Sequence, residues 1–256
     1  KGVVELHVRT VLTADEVRRL KKHEVTERIA HAVDHDETAW QRATGRLFFS
    51  PRRGEHIEKA LFYCPSCGAW DTLRSEGARF RCVSCGTERH IAPSGTIYTL
   101  TDDTPPRHRR RPPSTVSAWN TYQRSTLRED LRRPAPASLP VTIPKATFYT
   151  GRRSRVLYPR GETSVTVDRD RLVLSPPDGG SIDLAGLHGI PNETDCEALS
   201  LPIHEIAGVH VQYADQLEFY HRGKLFVLVV IRLQDSAYRL EETILALQHA
   251  RRDAPS

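Results

Sequence analysis

The sequence predicts an α+β chain: a small α/β segment carrying an inserted four-cysteine ribbon, followed by an antiparallel β-barrel-like domain capped by a C-terminal helix. Three observations predict it. Two Cys-x-x-Cys pairs, Cys64/Cys67 and Cys82/Cys85, bracket a hairpin-like stretch. From about residue 146 the apolar residues switch to a period of two, interrupted by turn signals such as "DRD" and "HRG". The last periodic stretch, Ser236 to about His249, places Ala237, Leu240, Ile244 and Leu247 on one helical stripe.

Each element has its own signal. Gly2 to Leu12 alternates Val4, Leu6 and Val8 and reads as a strand. Thr13 and Glu16 form a T-x-x-E capping signal, after which Val17, Leu20, Val25, Ile29 and Val33 keep roughly helical spacing through Asp34. Short helices are expected around Trp40 and from Glu55 to Leu61. Beyond the cysteines, "GTIYTL" reads as a strand, the stretch around Arg107–Arg111 as an irregular basic loop, and the residues after Thr115 or Ser117 as a helix with Trp119 and Tyr122 on one face. The proline-rich "PAPASLPVTIPK" lacks helical periodicity and reads as a linker. Strands are then expected at 148–157, 164–167, 171–174, 181–184, 203–211, 216–221 and 224–233. The organisation is thus 1–61, strand plus helices; 62–91, ribbon; 92–133, strand, basic loop and helix; 134–145, linker; 146–251, β domain. Seven antiparallel strands capped by an amphipathic helix resemble a pleckstrin-homology (PH) or GRAM-like barrel, in which the helix plugs one open end; a lipocalin-like barrel asks for more strands.

The cysteines carry the strongest chemical signal. Two thiolates three positions apart reach one ion, and the glycine after each pair, Gly68 and Gly86, lets the backbone turn its amides toward the sulfurs. Fourteen intervening residues supply the hairpin that brings the pairs together. The ligand set Cys64, Cys67, Cys82 and Cys85 therefore predicts one structural zinc, with iron of the rubredoxin type as the rival for the same thiolates. Two symmetrical pairs fit a dithiol redox centre poorly. His90 reads as a plain strand residue and Cys196 as an isolated thiol.

Composition bounds the function. The longest apolar run, Leu225 to Ile231, has the length of a buried strand and is far short of the roughly 20 residues that span a bilayer. Four of the five cysteines sit in metal-spaced pairs, which argues for a reducing cytoplasm. The chain opens at Lys1 and has no methionine, so it reads as a fragment or a processed form. The formal charge of +5 is modest, but arginines cluster at 107–111 and again at Arg152, Arg153 and Arg155, suited to phosphates of anionic lipid or nucleic acid. The ribbon tip balances Arg74, Arg79 and Arg81 with Asp71 and Glu76, which weighs against nucleic acid.

The run "GVVELHVRTVLTADEVRRLKKHEVTERIAHAVDHDETAWQ", then "LFYCPSCGAWDTLRSEGARFRCVSCG", "GTIYTL" and "VSAWNTYQ", resembles the region C-terminal to the catalytic domain in bacterial lysophospholipid acyltransferases of the 1-acylglycerol-3-phosphate type that carry an embedded zinc ribbon. The resemblance covers about residues 1 to 130. It implies glycerophospholipid synthesis at the inner face of the cell membrane, an acyl chain passing from a thioester to a lysophosphatidate hydroxyl, and an upstream catalytic domain as the partner of this chain. That family uses a His with an Asp five positions on, and a Glu-Gly-Thr-Arg segment. His31 and Asp36 match the spacing, and "EGAR" at Glu76–Arg79 echoes the second motif, but His31 falls in a polar helix and "EGAR" at a hairpin tip. No catalytic residue is therefore expected in this chain, and Arg152, Arg153 and Arg155 are its expected lipid contacts. The alternative is a zinc-ribbon module that binds nucleic acid or a protein.

Overall fold

The computed structural model describes residues 8–34, 36–101, 113–151, 156–176, 182, 198–232 and 234–252. The chain forms two compact units, Lys1–Arg46 and Leu47–Ser256.

The first unit holds three helices: α1 (Ala14–Arg19), α2 (Lys22–Val33) and α3 (Glu37–Thr44). The expected capping box is present, with Thr13 Oγ1 accepting from the Glu16 N–H and the Glu16 carboxylate accepting from the Thr13 N–H. The single helix expected through Asp34 is instead broken at Leu20, whose backbone is extended. The apolar spacing explains the break: the five-residue step from Leu20 to Val25 turns about 140° past a full rotation and leaves the stripe, so a continuous helix would split its own apolar face. Glu24 restarts the chain by accepting the Lys21 N–H. Residues 2–7 of the expected first strand lie outside the described residues, and Val8 to Leu12 form no strand. Here the Arg9 guanidinium donates to the Ala32 carbonyl, and Val8 is 87% exposed.

The second unit begins with a 3-10 turn at Ile57–Lys59, in place of the longer helix expected there, and a four-stranded antiparallel meander. Its strands are β1 (Leu73–Glu76), β2 (Arg79–Cys82), β3 (Glu88–Ile91) and β4 (Ile97–Thr101). Helix α4 (Val116–Leu131) comes next, capped by the Thr115 hydroxyl, which accepts from the Ala118 N–H. The remaining strands are β5 (Val141–Gly151), β6 (Leu157–Val167), β7 (Arg171–Ser175), β8 (Leu199–Pro202), β9 (Ile206–Gln212), β10 (Gln216–His221) and β11 (Lys224–Val230), and α5 (Ala237–Arg252) closes the chain. They form a seven-stranded sheet in the order β8-β7-β6-β5-β11-β10-β9, antiparallel throughout.

That order dictates a curl. The outer strands β8 and β9 are consecutive in sequence and joined by one 3-10 turn, Ile203–Glu205. A flat sheet of seven strands is about 29 Å across at about 4.8 Å per strand. The step from Pro202 to Ile206 reaches at most about 14 Å when fully extended. The two edges can therefore be bridged only if the sheet rolls into an open half-barrel. Helix α5 holds the corner: Gln248 Nε2 donates to the carbonyls of Ile203 and Ile206 at 2.8 and 2.6 Å. Its buried Leu240, Ile244 and Leu247 fill the concave side together with Phe148, Val165, Leu217, Phe219 and Leu228.

Strand β5 starts at Val141, inside the proline-rich stretch that reads as a linker. Val141, Ile143, Ala146 and Phe148 are buried there, so pairing with β6 and core contact override the prolines. The run 203–211 divides into the 3-10 turn and β9, since the chain must turn there from one edge of the sheet to the other. Of the strand expected at 181–184 only Ile182, which is buried, lies among the described residues.

Candidate metal centre

Each knuckle is built by its own backbone. In the first, the Gly68 N–H donates to the Cys64 carbonyl at 2.8 Å and the Cys64 N–H to the Ala69 carbonyl at 2.9 Å; in the second, Gly86 donates to Cys82 at 2.9 Å and Cys82 to Thr87 at 3.0 Å. Gly68 and Gly86 have φ of 79° and 73°, the left-handed conformation that costs glycine nothing. The two turns are near copies, and the β1–β2 hairpin folds one onto the other.

The consequence is a cluster of the four sulfurs of Cys64, Cys67, Cys82 and Cys85, all within 4.8 Å of one another. Cys64 and Cys85 Sγ lie 3.9 Å apart, and Cys67 and Cys82 Sγ 3.7 Å. Four sulfurs on a tetrahedron about 2.3 Å from a central ion stand about 3.8 Å apart, so the cluster fits a metal ion held by four thiolates. Cys64 and Cys82 are fully buried and Cys67 is exposed. Around the cluster, Thr72 Oγ1 lies 3.1 Å from Cys82 Sγ, and the buried Thr87 Oγ1 3.1 Å from Cys85 Sγ. With the sulfurs sharing protons, a hydrogen bond from Cys64 holds Cys82 well below the ordinary thiol range, while the same bond and burial push Cys64 up.

The ribbon is not a free appendage. Trp119 of α4 is wholly buried against Phe80 of β2, ring centroids 5.5 Å apart, and its Nε1 donates to the Tyr63 carbonyl at 2.9 Å. Gln123, also fully buried, accepts from the Phe62 N–H and donates to the Ala60 carbonyl, fixing the segment that enters the first knuckle. Phe62 and Tyr63 themselves belong to the core of the seven-stranded sheet, as do Leu127 and Leu131 of α4. Arg239 of α5 lies over the Trp70 ring, pairs with Asp71 and donates to the Ser138 carbonyl, while Ser236 Oγ donates to the Lys59 carbonyl. Ribbon, α4 and half-barrel thus form one packed body.

Other residues singled out from sequence have different places. His90 faces away from the sulfurs, its Nε2 2.8 Å from an Arg53 guanidinium nitrogen. Trp70 and Phe80 are packing residues. Asp36 caps α3, its carboxylate accepting from the Ala39 N–H at 3.0 Å, and Glu76–Arg79 forms the β1–β2 turn with Gly77 at φ 59°. Arg152, Arg153, Arg155, the arginines of 107–111 and Cys196 lie outside the described residues. Among the described residues no helix is long and apolar enough to cross a membrane.

No family model matches this chain, and no curated protein matches it. Among solved structures it is similar to the N-terminal PH domain of the human ARAP2 protein, at 10% identity and a TM-score of 0.30, over 48% of this chain and 90% of that one.

Proposed function

We propose that this chain is a zinc-stapled, non-catalytic module, the accessory C-terminal region of a lysophospholipid acyltransferase, with a half-barrel of the PH/GRAM kind that holds the enzyme against anionic membrane. The observation that carries the structural part is the shared core: Phe62 and Tyr63 lead into the first knuckle and pack inside the seven-stranded sheet. An ion closing the knuckles therefore stabilises the whole body, as small ribbons with too little apolar area to fold unaided require. Zinc is favoured over iron because the ion's task there is coordination without electron transfer. Support for the PH/GRAM reading is the curled seven-stranded antiparallel sheet, a four-strand and a three-strand meander joined through β5 and β11, with a C-terminal helix packed on its concave side. The acyltransferase assignment rests on the order of sequence motifs across residues 1 to 130, with the upstream catalytic domain as partner and the inner face of the membrane as location. Arg152, Arg153 and Arg155 lie between β5 and β6 in sequence, and the next residues, Val156, Leu157 and Tyr158, are exposed, an apolar patch next in sequence to cationic residues, as suits a lipid surface.

Two measurements test this reading. Acyl transfer to lysophosphatidate by this chain alone is expected to be absent; turnover abolished by His31→Ala overturns the non-catalytic assignment. Flotation with vesicles of rising anionic lipid content should recover the protein at low salt. Recovery that is absent, or unchanged when Arg152, Arg153 and Arg155 are all replaced by Ser, removes the membrane role. A second reading has one observation in its favour: Arg74, Arg79, Arg81 and His90 line a groove on the outer ribbon face, a cationic track for single-stranded nucleic acid, although Glu76 and Glu88 interrupt it.

A further inference from the structure

Arg89 of β3 is 0% exposed, one of the largest wholly buried side chains of the described residues. It reaches the interior because β3 alternates: Glu88 and His90 face outward, Arg89 and Ile91 inward. A bulge in β4, where Leu100 is the extra residue between the pairs Glu88↔Thr101 and Arg89↔Thr99, adjusts the pairing at this point. The guanidinium lies over the Trp119 ring, 4.9 Å from its centroid, and Nη2 donates to Ser66 Oγ at 2.5 Å. Among the described residues Nε and Nη1 have no hydrogen-bond partner, and no carboxylate pairs with Arg89. A buried, unpaired guanidinium is among the most costly groups a fold can carry, and proteins retain one where an opposite charge meets it.

Among the described residues, the hydrogen bond Arg89 makes to a side-chain oxygen points to where that charge is. Ser66 lies between Cys64 and Cys67, inside the first knuckle, and is itself buried. A divalent ion with four thiolates carries a net charge of −2, in a centre whose Cys64 and Cys82 are shut off from water. We propose that Arg89 is the buried counter-cation of the metal–tetrathiolate centre, held against the first knuckle by Ser66 and covered by Trp119. Ion and guanidinium then satisfy each other: the loaded cluster compensates the arginine, and the arginine lowers the cost of gathering four thiolates. Metal occupancy and the electrostatics of the ribbon core are thereby one linked equilibrium.

This inference rests on the metal reading, and the experiment separates the two. Cobalt(II) added to the metal-free chain should give the sulfur-to-cobalt charge-transfer absorption of a tetrathiolate site; if wild type lacks it, the metal reading itself fails. Given that spectrum, zinc affinity is measured by competition with a chromophoric chelator. Arg89→Met, neutral and similar in volume, should bind zinc about 10–100-fold more weakly, as loss of an outer-shell partner generally does. Arg89→Lys, which keeps the charge, should fall between Met and wild type. Equal affinity in wild type and Arg89→Met overturns the proposal, as does an Arg89→Lys loss as large as that of Met. A readout that does not depend on a variant folding is the guanidinium itself. In labelled wild-type protein the Arg89 Nε–H resonance should shift and exchange more slowly when zinc is added. A resonance unchanged between zinc-free and zinc-loaded protein overturns the proposal.

Discussion

At Trp119 a single side chain joins three parts of the second unit. Its ring packs on Phe80, its face receives Arg89, and its Nε1–H satisfies the Tyr63 carbonyl. Trp119→Ala removes all three and empties a wholly buried site, so it should cost about 3–5 kcal/mol, read as a lowered denaturant midpoint; Trp119→Phe, which keeps part of the packing and loses the hydrogen bond, should cost less. Cys82→Ser leaves a three-ligand set and should abolish the roughly one bound metal per chain that elemental analysis is expected to find in wild type. His221 supplies a pH dependence. Burial lowers its pKa from the ordinary histidine value, and its hydrogen bond to Glu205 only partly offsets this. A histidine whose folded pKa is depressed gives stability that is present above the unfolded value, about 6.5, and lost as pH falls through the folded one. Glu205, lowered chiefly by its bond to Arg222, has the same sign at more acid pH. The urea midpoint should therefore fall between about pH 7.5 and pH 5.5, and the fall should shrink in His221→Gln.

Elements differ in how far they are legible from sequence. The knuckles are fully so, because a Cys-x-x-Cys-Gly turn is made by bonds among five or six consecutive residues. Strand β10 is as well, since it pairs with β11 across a two-residue turn, Arg222–Gly223. Strand β5 is not: its first residues stand among prolines, and what makes them a strand is β6 on one side and the late β11 on the other. Helices α1 and α2 look continuous in sequence because the capping signal at Thr13 is local, whereas the break depends on the phase of apolar residues over five positions. Arg89 gives no signal, since an arginine in an alternating strand is ordinary until its neighbours are known. The corner between β8 and β9 is similarly invisible in sequence. Gln248→Ala should expose it, removing the side-chain donor shared by the two carbonyls and leaving that of Ile203 only its bond from the Ile206 N–H, at a cost of about 1–3 kcal/mol, and amide hydrogen exchange should accelerate at residues 203–206 ahead of the sheet centre.

Considered as a whole, the second unit should respond to metal as one body. Its barrel core contains ribbon residues, and α5 is tied to the ribbon through Arg239 and Ser236. Chelation should lower the thermal midpoint reported by the half-barrel together with that of the ribbon. A half-barrel that keeps its midpoint after the metal is stripped would instead make the ribbon a separate folding unit.

The position of β5 also sets the order of assembly. The first strand of the sheet lies at its centre, so one of its edges has no partner until β11, the last strand, has been made. Such long-range pairing folds slowly, and a nascent chain carries an open strand edge from the completion of β5 at Gly151 until β11 is made at Lys224–Val230. The ribbon precedes it in the chain, and its knuckle turns form from bonds among neighbouring residues. Phe62 and Tyr63, which share the core cluster with the buried residues of β5, are then already part of the chain when β5 emerges. If the cluster takes up a metal ion, that ion supplied during synthesis, more than the same ion added afterwards, should raise the yield of soluble protein.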